Sequence, residues 1–255
     1  MPLYLTIITI IAVVAILVWM KVSKNKFNIL GVAFIIGLSI FSLFFWQSRQ
    51  SSTSLRVVGY SSKLFESDLV KWNITLQKSV GVNDLNRGYQ LMSSDIEAFK
   101  TYLLEQGMAA DNIGVHPVNI YQRYDKDGNL TGHNLNQRVF VLSQDLDKIE
   151  DLALDPDFFA KRNMVLQNSN LEYLYTKLPE LKQELLAAAT EDALARAQEI
   201  SGSAQTKLGK MREARAGVFQ ITEPYSTDVS DYGIYNTETR QKSISVTLTA
   251  YFNLR

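Results

Sequence analysis

The chain has 255 residues and a formal net charge of zero, but its charges are unevenly distributed. All 26 acidic residues lie after residue 50, together with all but four of the 26 basic ones. This acidic excess argues against a nucleic-acid-binding surface, which needs clustered positive charge. The absence of cysteine excludes disulfides, thiolate metal sites and a cysteine nucleophile.

The first 50 residues contain two apolar runs, Leu3–Met20 and Phe27–Trp46, neither of which holds a charge. At about 1.5 Å per helical residue, each run approaches the ~30 Å thickness of the hydrocarbon core of a bilayer. Backbone in lipid must satisfy its own hydrogen bonds, so we predict two transmembrane helices that form a hairpin anchor over residues 1–50. A signal-like first segment and a buried hydrophobic hairpin are the alternatives, but no basic segment precedes the first run and no small-x-small site follows it.

Three lysines, Lys21, Lys24 and Lys26, lie between the two runs and predict the topology. Short loops rich in lysine stay in the cytoplasm, and Arg49 opposes them with a single charge. We therefore expect a protein of the cytoplasmic membrane whose N-terminus and C-terminal domain both lie outside the cytoplasm. Neither run contains an aspartate, glutamate, histidine or arginine, which is typical of an anchor and not of a transporter.

A serine-rich linker at 51–54 precedes a body over residues 55–255, in which the hydrophobic period first becomes 2. Residues 55–60 and 70–77 are predicted to pair as a hairpin, with 61–68 as their connection. A helix then follows, capped by Asn83 or Asp84 and ended by Gly107. Its apolar stripe, spaced by 4, 3, 4, 3 and 4 positions, is predicted to be core: Leu85, Tyr89, Met92, Ile96, Phe99 and Leu103.

The second half of the body continues in the same manner. Residues 118–143 predict two strands around a turn at Gly128, where glycine supplies the positive φ. A short helix is capped by Asp145 or Asp147 and ended by Pro156, and a strand follows at 163–177.

An alanine-rich helix begins at Pro179 and ends at Gly202, and two strands, 212–224 and 243–252, close the chain. The order ββα–ββα–βα–ββ predicts an α+β fold of paired hairpins with helices packed on one side.

No catalytic motif is recognisable in the chain. His116 and His133 fall in two strands of one predicted hairpin, but two imidazoles make a poor zinc site, which needs three or four ligands. We predict no enzyme, no cofactor and no metal, and a hydrolase with a non-standard site is the least favoured alternative. The loop from 225 to 237 is polar and aromatic, and its tyrosines, Tyr225, Tyr232 and Tyr235, are predicted interface residues.

A resemblance to a known family rests on three segments: RVVGYSSKLFESDLVKWNITL (56–76), AAATEDALARAQEISGSAQTKLGKM (187–211) and the closing SISVTLTAYFNL (243–254). In these segments the body resembles the SIMPL-domain family of bacterial periplasmic or membrane-anchored proteins. With the predicted topology, the resemblance implies a bacterial inner-membrane protein whose N-terminus and C-terminal domain lie on the periplasmic side. The positions weighed most are Gly59, Ser67, Asp68, Trp72 and Asn73. The resemblance implies an α+β domain that forms oligomers, in some members rings, a link to envelope or oxidative stress, and no agreed catalytic activity.

The resulting prediction is a membrane-anchored, extracytoplasmic scaffold that forms homo-oligomers or binds an envelope protein, without nucleic acid as a partner. Sheet edges and the tyrosine-bearing loop are the predicted contacts. A small-ligand-binding sensor of the cell envelope is the alternative, and it requires an apolar pocket between helix and sheet with a few polar groups.

Overall fold

The computed structural model of the protein describes residues 26–49 and 54–254, and within the first stretch only the side chains of residue 31 and residues 34–45. The helices are α1 (Lys26–Arg49), α2 (Leu85–Glu105), α3 (Leu146–Leu154), α4 (Asp157–Lys161) and α5 (Leu178–Ser203). The strands are β1 (Ser54–Glu66), β2 (Leu69–Val80), β3 (Ile113–Val115), β4 (Asn119–Tyr124), β5 (Leu130–Ser143), β6 (Val165–Leu174), β7 (Leu208–Ala216), β8 (Gln220–Thr222), β9 (Ile234–Tyr235) and β10 (Gln241–Leu254). Contacts divide the chain into two units, residues 1–54 with 253–255 and residues 55–252.

The helix α1 covers the second predicted span, whereas the first span, Leu3–Met20, lies outside the described residues. Its described side chains are exposed all round, apart from half-buried Ile36. Within the described ranges, no helix combines the length and hydropathy that a membrane crossing requires.

The body contains two five-stranded sheets. The first sheet has the order β1-β10-β8-β9, with β7 also paired to β10, and the second has the order β3-β5-β2-β6, with β4 also paired to β5. Strands β5 and β6 both run antiparallel to β2. The body is therefore a mixed α+β structure, as predicted, but with two separate sheets, each with its own core.

The predicted hairpin between residues 55–60 and 70–77 is wrong. Strand β1 continues to Glu66 and pairs with β10 in the first sheet, whereas β2 belongs to the second sheet. The backbone N–H of Ser67 donates to the carbonyl oxygen of Arg240, the residue before β10, and that of Asp68 donates to the carbonyl oxygen of Leu174, the last residue of β6. The chain therefore passes from the first sheet to the second at Ser67 and Asp68.

The second sheet is covered on one face by α2, α3 and α4. Trp72 of β2 and Phe99 of α2 are fully buried at its centre, with ring centroids 5.9 Å apart. The predicted apolar stripe of α2 is confirmed at Met92, Ile96, Phe99 and Leu103, but Tyr89 is 41% exposed and Gly88 takes the buried position. Large side chains fill this layer between helix and sheet.

The first sheet is covered by α5, which approaches it much more closely. Three alanines of α5, Ala189, Ala193 and Ala197, are completely buried against it. A Cβ placed on Gly59 of β1 would lie 2.1 Å from the carbonyl oxygen of Ala189, so only glycine permits this contact. The alanine-rich character of the helix is therefore a packing requirement of the first core.

Asp192 covers a backbone group at the edge of the first sheet. Its carboxylate accepts from the backbone N–H of Tyr60 at 2.8 Å and forms an ion pair with Arg196 one turn later. These hydrogen bonds, with the Tyr60 N–H as the largest cause, lower the pKa of Asp192. An edge strand with an unpaired N–H is open to pairing with another chain, and Asp192 removes one such group on β1.

The remaining differences from the sequence analysis are local. The predicted strand at 212–224 is two strands, β7 and β8, and the elements α4, β3 and β9 were not predicted. The helix α5 continues to Ser203 past Gly202, because the left-handed backbone position falls at Gln205, with φ 54°. The predicted turn at Gly128, with φ 81°, and the cap at Asp145 are confirmed.

Candidate functional site

The place where the chain passes between the two sheets is held by Asp68. Its carboxylate accepts from the backbone N–H of Thr176 at 2.7 Å and from the Thr176 hydroxyl at 2.6 Å. Asp68 therefore joins the start of β2 to the segment that follows β6. This arrangement agrees with a strand-start role for Asp68, and both oxygens of the carboxylate are occupied by it.

A cluster of charged side chains surrounds Arg240 at the same junction. The guanidinium donates to Glu66 at 2.6 Å, makes a second hydrogen bond to Asp147, and lies 3.8 Å from Glu150. These acidic partners raise the pKa of Arg240, with Asp147 as the largest cause. Arg240 thus links the end of β1 to α3, and the cluster joins the two sheets at the surface of the body.

Two titratable groups lie beneath this cluster. The Tyr173 hydroxyl donates to Glu150 at 2.8 Å, and burial followed by this hydrogen bond raises the pKa of Tyr173 to about 12. Lys242, only 1% exposed, donates to the carbonyl of Thr239, and its Nζ lies 5.9 Å from the centroid of the Tyr173 ring. Burial lowers the pKa of Lys242 to about 8. No carboxylate within the described ranges forms a salt bridge with Lys242.

An open cleft of about 580 Å³ lies over the junction and has a predominantly polar lining. Its lining residues are Glu66, Ser67, Asp68, Gln144, Asp145, Leu146, Asp147, Thr176, Lys177 and Arg240. The buried Ser67 Oγ has no hydrogen-bond partner in the described part of the chain, so no base is in place to activate it as a nucleophile. The one hydroxyl–carboxylate pair in its lining that the structure describes is Thr176 with Asp68, and Asp68 also accepts from the Thr176 backbone N–H, so the pair serves the junction between β2 and the segment after β6.

The predicted interface loop is held at its base and exposes its tips. The side chain of Gln220 donates to Ser230 O at 2.7 Å, and Asn236 N donates to Ile221 O at 2.8 Å. Tyr225 is 89% exposed and Tyr232 97% exposed. Tyr235 is 48% exposed, and partial burial raises its pKa.

The loop places exposed apolar side chains against the outer face of the first sheet. Tyr225 shares a small cleft with Leu64 of β1, and Val229 shares a larger one with Tyr60 of the same strand. All four side chains are exposed by 48% or more. We call these four residues, together with Val58, the apolar face.

The two histidines are not brought together, and of the three lysines of the predicted loop only Lys26 lies within the described residues. Lys21 and Lys24 lie outside the described residues, and Lys26 begins α1. The backbone N–H of His116 donates to the carbonyl oxygen of Arg138 on β5. Arg138 and His133 are five residues apart on this strand, which corresponds to about 17 Å at ~3.4 Å per residue. No group of three or more potential metal ligands occurs in the ranges that the structure describes.

The sequence analysis did not identify Lys242 or Arg240. A signal for Lys242 was present, because the alternation Ile244–Val246–Leu248 extends backwards onto position 242 and predicts an inward side chain. Arg240 carries no such local signal, since its partners Glu66 and Asp147 lie 174 and 93 positions away.

Two sheets, each with its inner face covered by helix, and a polar junction between them define an α+β domain. The chain belongs to the SIMPL family, described as a protein of unknown function (DUF541), whose model matches residues 55–252. No curated protein matches the chain. The family membership predicted from the motifs is thus confirmed over the whole body.

Proposed function

We propose that the protein is a membrane-anchored, extracytoplasmic scaffold that self-associates through the apolar face of its SIMPL domain, without catalysing a reaction. The observation that carries this proposal is the apolar face itself. Its large side chains are grouped on one side of the first sheet, and such groups on soluble surfaces mark interaction sites.

The apolar face has the composition of a protein interface. Tyrosine combines a large apolar ring with a polar tip, and it is enriched where proteins bind one another. The loop that carries Tyr225 and Tyr232 is held by the Gln220 hydrogen bonds, so less conformational entropy is lost when it is covered. A second copy of the chain supplies the complementary apolar surface, as expected for a symmetric homo-oligomer.

The anchor rests on the composition of residues 1–50. Two charge-free apolar runs flank Lys21, Lys24 and Lys26, and the described side chains of α1 are apolar except for Ser39 and Ser42. A helix that is apolar all round is suited to a protein core or to lipid. With the three lysines in the cytoplasm, the SIMPL domain lies on the envelope side of the membrane. In that position it is able to take part in the response to envelope stress.

Self-association is tested by measuring the mass of the full chain in detergent by light scattering. We expect a discrete oligomer for the unchanged protein and a smaller species for the variant Tyr225→Ser/Val229→Ser. A matched control is Leu154→Ser, which removes an 80% exposed leucine from the end of α3. A monomer in the unchanged protein, or equal masses for all three proteins, contradicts assembly through the apolar face.

Topology is tested separately with two reporters fused after Arg255. An alkaline phosphatase reporter is expected to be active, because it folds only outside the cytoplasm, and a fluorescent reporter that folds only in the cytosol is expected to be dark. The triple variant Lys21→Gln/Lys24→Gln/Lys26→Gln is expected to mix the two orientations, whereas Arg49→Gln preserves the original one. The opposite reporter pattern in the unchanged chain contradicts the proposed location.

A small-ligand sensor is the second candidate, and one groove favours it. A groove of about 410 Å³ lies between α2 and the second sheet. Its apolar lining includes Met92, Ile96 and Val118, and its polar lining is Ser93, Gln137 and the charged pair Glu97 and Lys100. This is the combination that the alternative requires. Thermal-shift measurements against envelope metabolites test it, with Ser93→Trp as a variant that fills the groove. A shift in the unchanged protein that is lost in the variant supports a sensor, and the absence of any shift contradicts it.

A further inference from the structure

The segment KLGKMREAR (207–215) is basic although the body as a whole is acidic. It comprises Lys207 and most of β7, and it holds four basic residues and one acidic residue, a net charge of +3. Four of the 26 basic residues and none of the 26 acidic ones precede residue 51, so the body without this segment holds 18 basic and 25 acidic residues. A local excess of positive charge in an acidic domain favours an anionic partner for that surface.

The charges of this segment are accessible. The side chains of residues 210–218 are all exposed, so both faces of β7 are open to solvent beyond its first two residues. Strand β7 pairs with β10 and with no other described strand, which leaves its outer edge open. Glu213 pairs with Arg215 at 2.5 Å, whereas Lys207 and Lys210 form no salt bridge within the described ranges.

The start of β7 lies at the end of the first sheet where β10 ends. Strand β8 pairs antiparallel with the start of β10, and Gly217 N donates to Thr247 O further along it, so β7 continues towards the C-terminal end of β10. Strand β1 begins at this end too, because its other end adjoins the start of β10 through the hydrogen bond from Ser67 N to Arg240 O. We call four exposed residues here the basic end: Arg56, Lys207, Lys210 and Arg212.

Few acidic residues lie near the basic end. Asp192 of α5 is paired with Arg196 at 2.8 Å. Glu199 is exposed and is the one acidic residue in the last two turns of α5, which lead into β7. Asp231 lines a cleft with Gly217, at the other end of β7. The basic end therefore keeps a net positive charge when these neighbours are included.

We infer that the basic end binds the phosphate-bearing headgroups of anionic phospholipids. The inference rests on the proposed anchor: when α1 lies in the membrane, only residues 50–53 join it to β1. At about 3.6 Å per residue, the steps from Arg49 to Ser54 span at most roughly 18 Å, so the tether holds this end of the sheet close to the bilayer. Each lysine or arginine near an anionic membrane surface strengthens binding by roughly fivefold. Contact at the basic end turns the junction, at the opposite end of the first sheet, away from the lipid.

Two other roles for these lysines are the alternatives. Lysine on an edge strand prevents pairing with the strands of other chains, and that role needs no partner. An acidic region of a second copy is the other candidate, because the body outside the basic segment has a net charge of −7. The short tether favours the membrane, since it holds the basic end at the bilayer whether or not a second copy is present.

The test measures contact between β7 and lipid headgroups. The chain has no cysteine, so Met211→Cys provides a single site for a fluorophore on β7. The labelled full chain is reconstituted into liposomes of phosphatidylcholine, with or without phosphatidylglycerol, and a quencher on some headgroups of both leaflets registers contact in either orientation. We expect stronger quenching with phosphatidylglycerol. The difference should disappear when salt is raised from about 0.1 M to about 1 M, because the screening length falls from about 10 Å to about 3 Å.

Matched variants identify the charges that make the contact. Lys207→Gln/Lys210→Gln is expected to weaken it by roughly twentyfold, since each lysine contributes roughly fivefold. Lys126→Gln/Lys177→Gln removes two exposed lysines from the turn before β5 and from the residue before α5, and it is expected to leave quenching unchanged. A fluorophore at Gln144→Cys, in the junction cleft, is expected to stay unquenched. Circular dichroism checks that the variants fold.

Each outcome bears on the inference. Equal quenching of the β7 label in the two kinds of liposome overturns it, as does equal quenching of the unchanged chain and the Lys207→Gln/Lys210→Gln variant. If that variant gains mass in detergent while quenching is unaltered, the lysines protect the strand edge, and a loss of mass assigns them to contacts between copies. Failure to float with pure phosphatidylcholine liposomes contradicts the anchor, whereas flotation with the phosphatidylglycerol liposomes alone would still support binding at the basic end.

Discussion

The two sheets of the body share one plan and differ in what they expose. Each has a helix-covered inner face and its own buried core. On the outer side, the first sheet exposes Tyr60 and Leu64 beside the tyrosine-bearing loop. The second combines amides with the charged side chains of Lys71, Arg138 and Glu172, which are exposed or half-buried. Outer strand positions can differ in this way because neither core depends on their packing.

The two cores are packed with side chains of different size, aromatic rings in the second sheet and glycine and alanines in the first. Around Trp72, Phe99 contacts Phe158 and Phe159 at centroid distances of 5.6 and 5.2 Å. In the first sheet, Gly59 lies directly against the backbone of α5 at Ala189. Aromatic packing tolerates loss of volume poorly, and close backbone packing tolerates gain of volume poorly. The two cores should therefore respond differently to substitution.

The largest expected effect is at the aromatic core. Phe99→Ala removes a fully buried ring that contacts three others, and we expect a loss of about 3–5 kcal/mol in the free energy of unfolding. Urea unfolding of the full chain in detergent measures it, with the 46% exposed Leu104 as the site of the control Leu104→Ala. A loss no larger than that of the control would show that the second core does not depend on this aromatic cluster.

The junction between the sheets predicts a pH dependence. Lys242 has a pKa of about 8 in the folded protein and 10.5 when unperturbed. The unfolded state therefore binds more protons between these values, so stability rises with pH from about 8 to about 10.5 and the cost of burying the charge is complete below pH 8. Lys242→Met is expected to stabilise the protein at pH 7 by up to about 3 kcal/mol, with a smaller gain at pH 9.5.

Urea unfolding at the two pH values measures this effect, and the exposed Lys210 provides the control Lys210→Met. A gain at Lys242 that does not depend on pH would show that the pKa of the lysine is the same in the folded and unfolded states.

A smaller effect is expected at the close packing of the first sheet. Gly59→Ala inserts a methyl group against the Ala189 carbonyl, and the overpacking is expected to destabilise by about 1–3 kcal/mol. Gly202→Ala is the matched control, because nothing lies within 4 Å of its added Cβ and alanine favours the helix by up to about 1 kcal/mol. Thermal melts of both variants measure the difference. Equal melting temperatures would mean that α5 moves away from β1 without cost.

The smallest expected effect is at the outer face of the second sheet. Asn168→Ala/Asn170→Ala removes two exposed amides from β6, and we expect the oligomeric mass to stay that of the unchanged protein, because the apolar face lies on the first sheet. Light scattering in detergent measures the mass, with Tyr225→Ser/Val229→Ser as the variant that lowers it. A lower mass for the asparagine variant would show that the second sheet also takes part in self-association.

The sequence by itself determined the local elements of this protein. The period of α2, the turn at Gly128 and the alternation of β10 are confirmed, because each follows from steric and burial preferences within a few neighbouring residues. Which strands pair was decided by the tertiary structure: β1 appeared to be a partner of β2, but its hydrogen bonds are made with β10 at the far end of the chain. Alternation identifies the face of a strand that is buried and does not identify the neighbour that buries it. For the same reason the burial of Lys242, the charges around Arg240 and the two outer faces became visible only once distant strands were brought side by side.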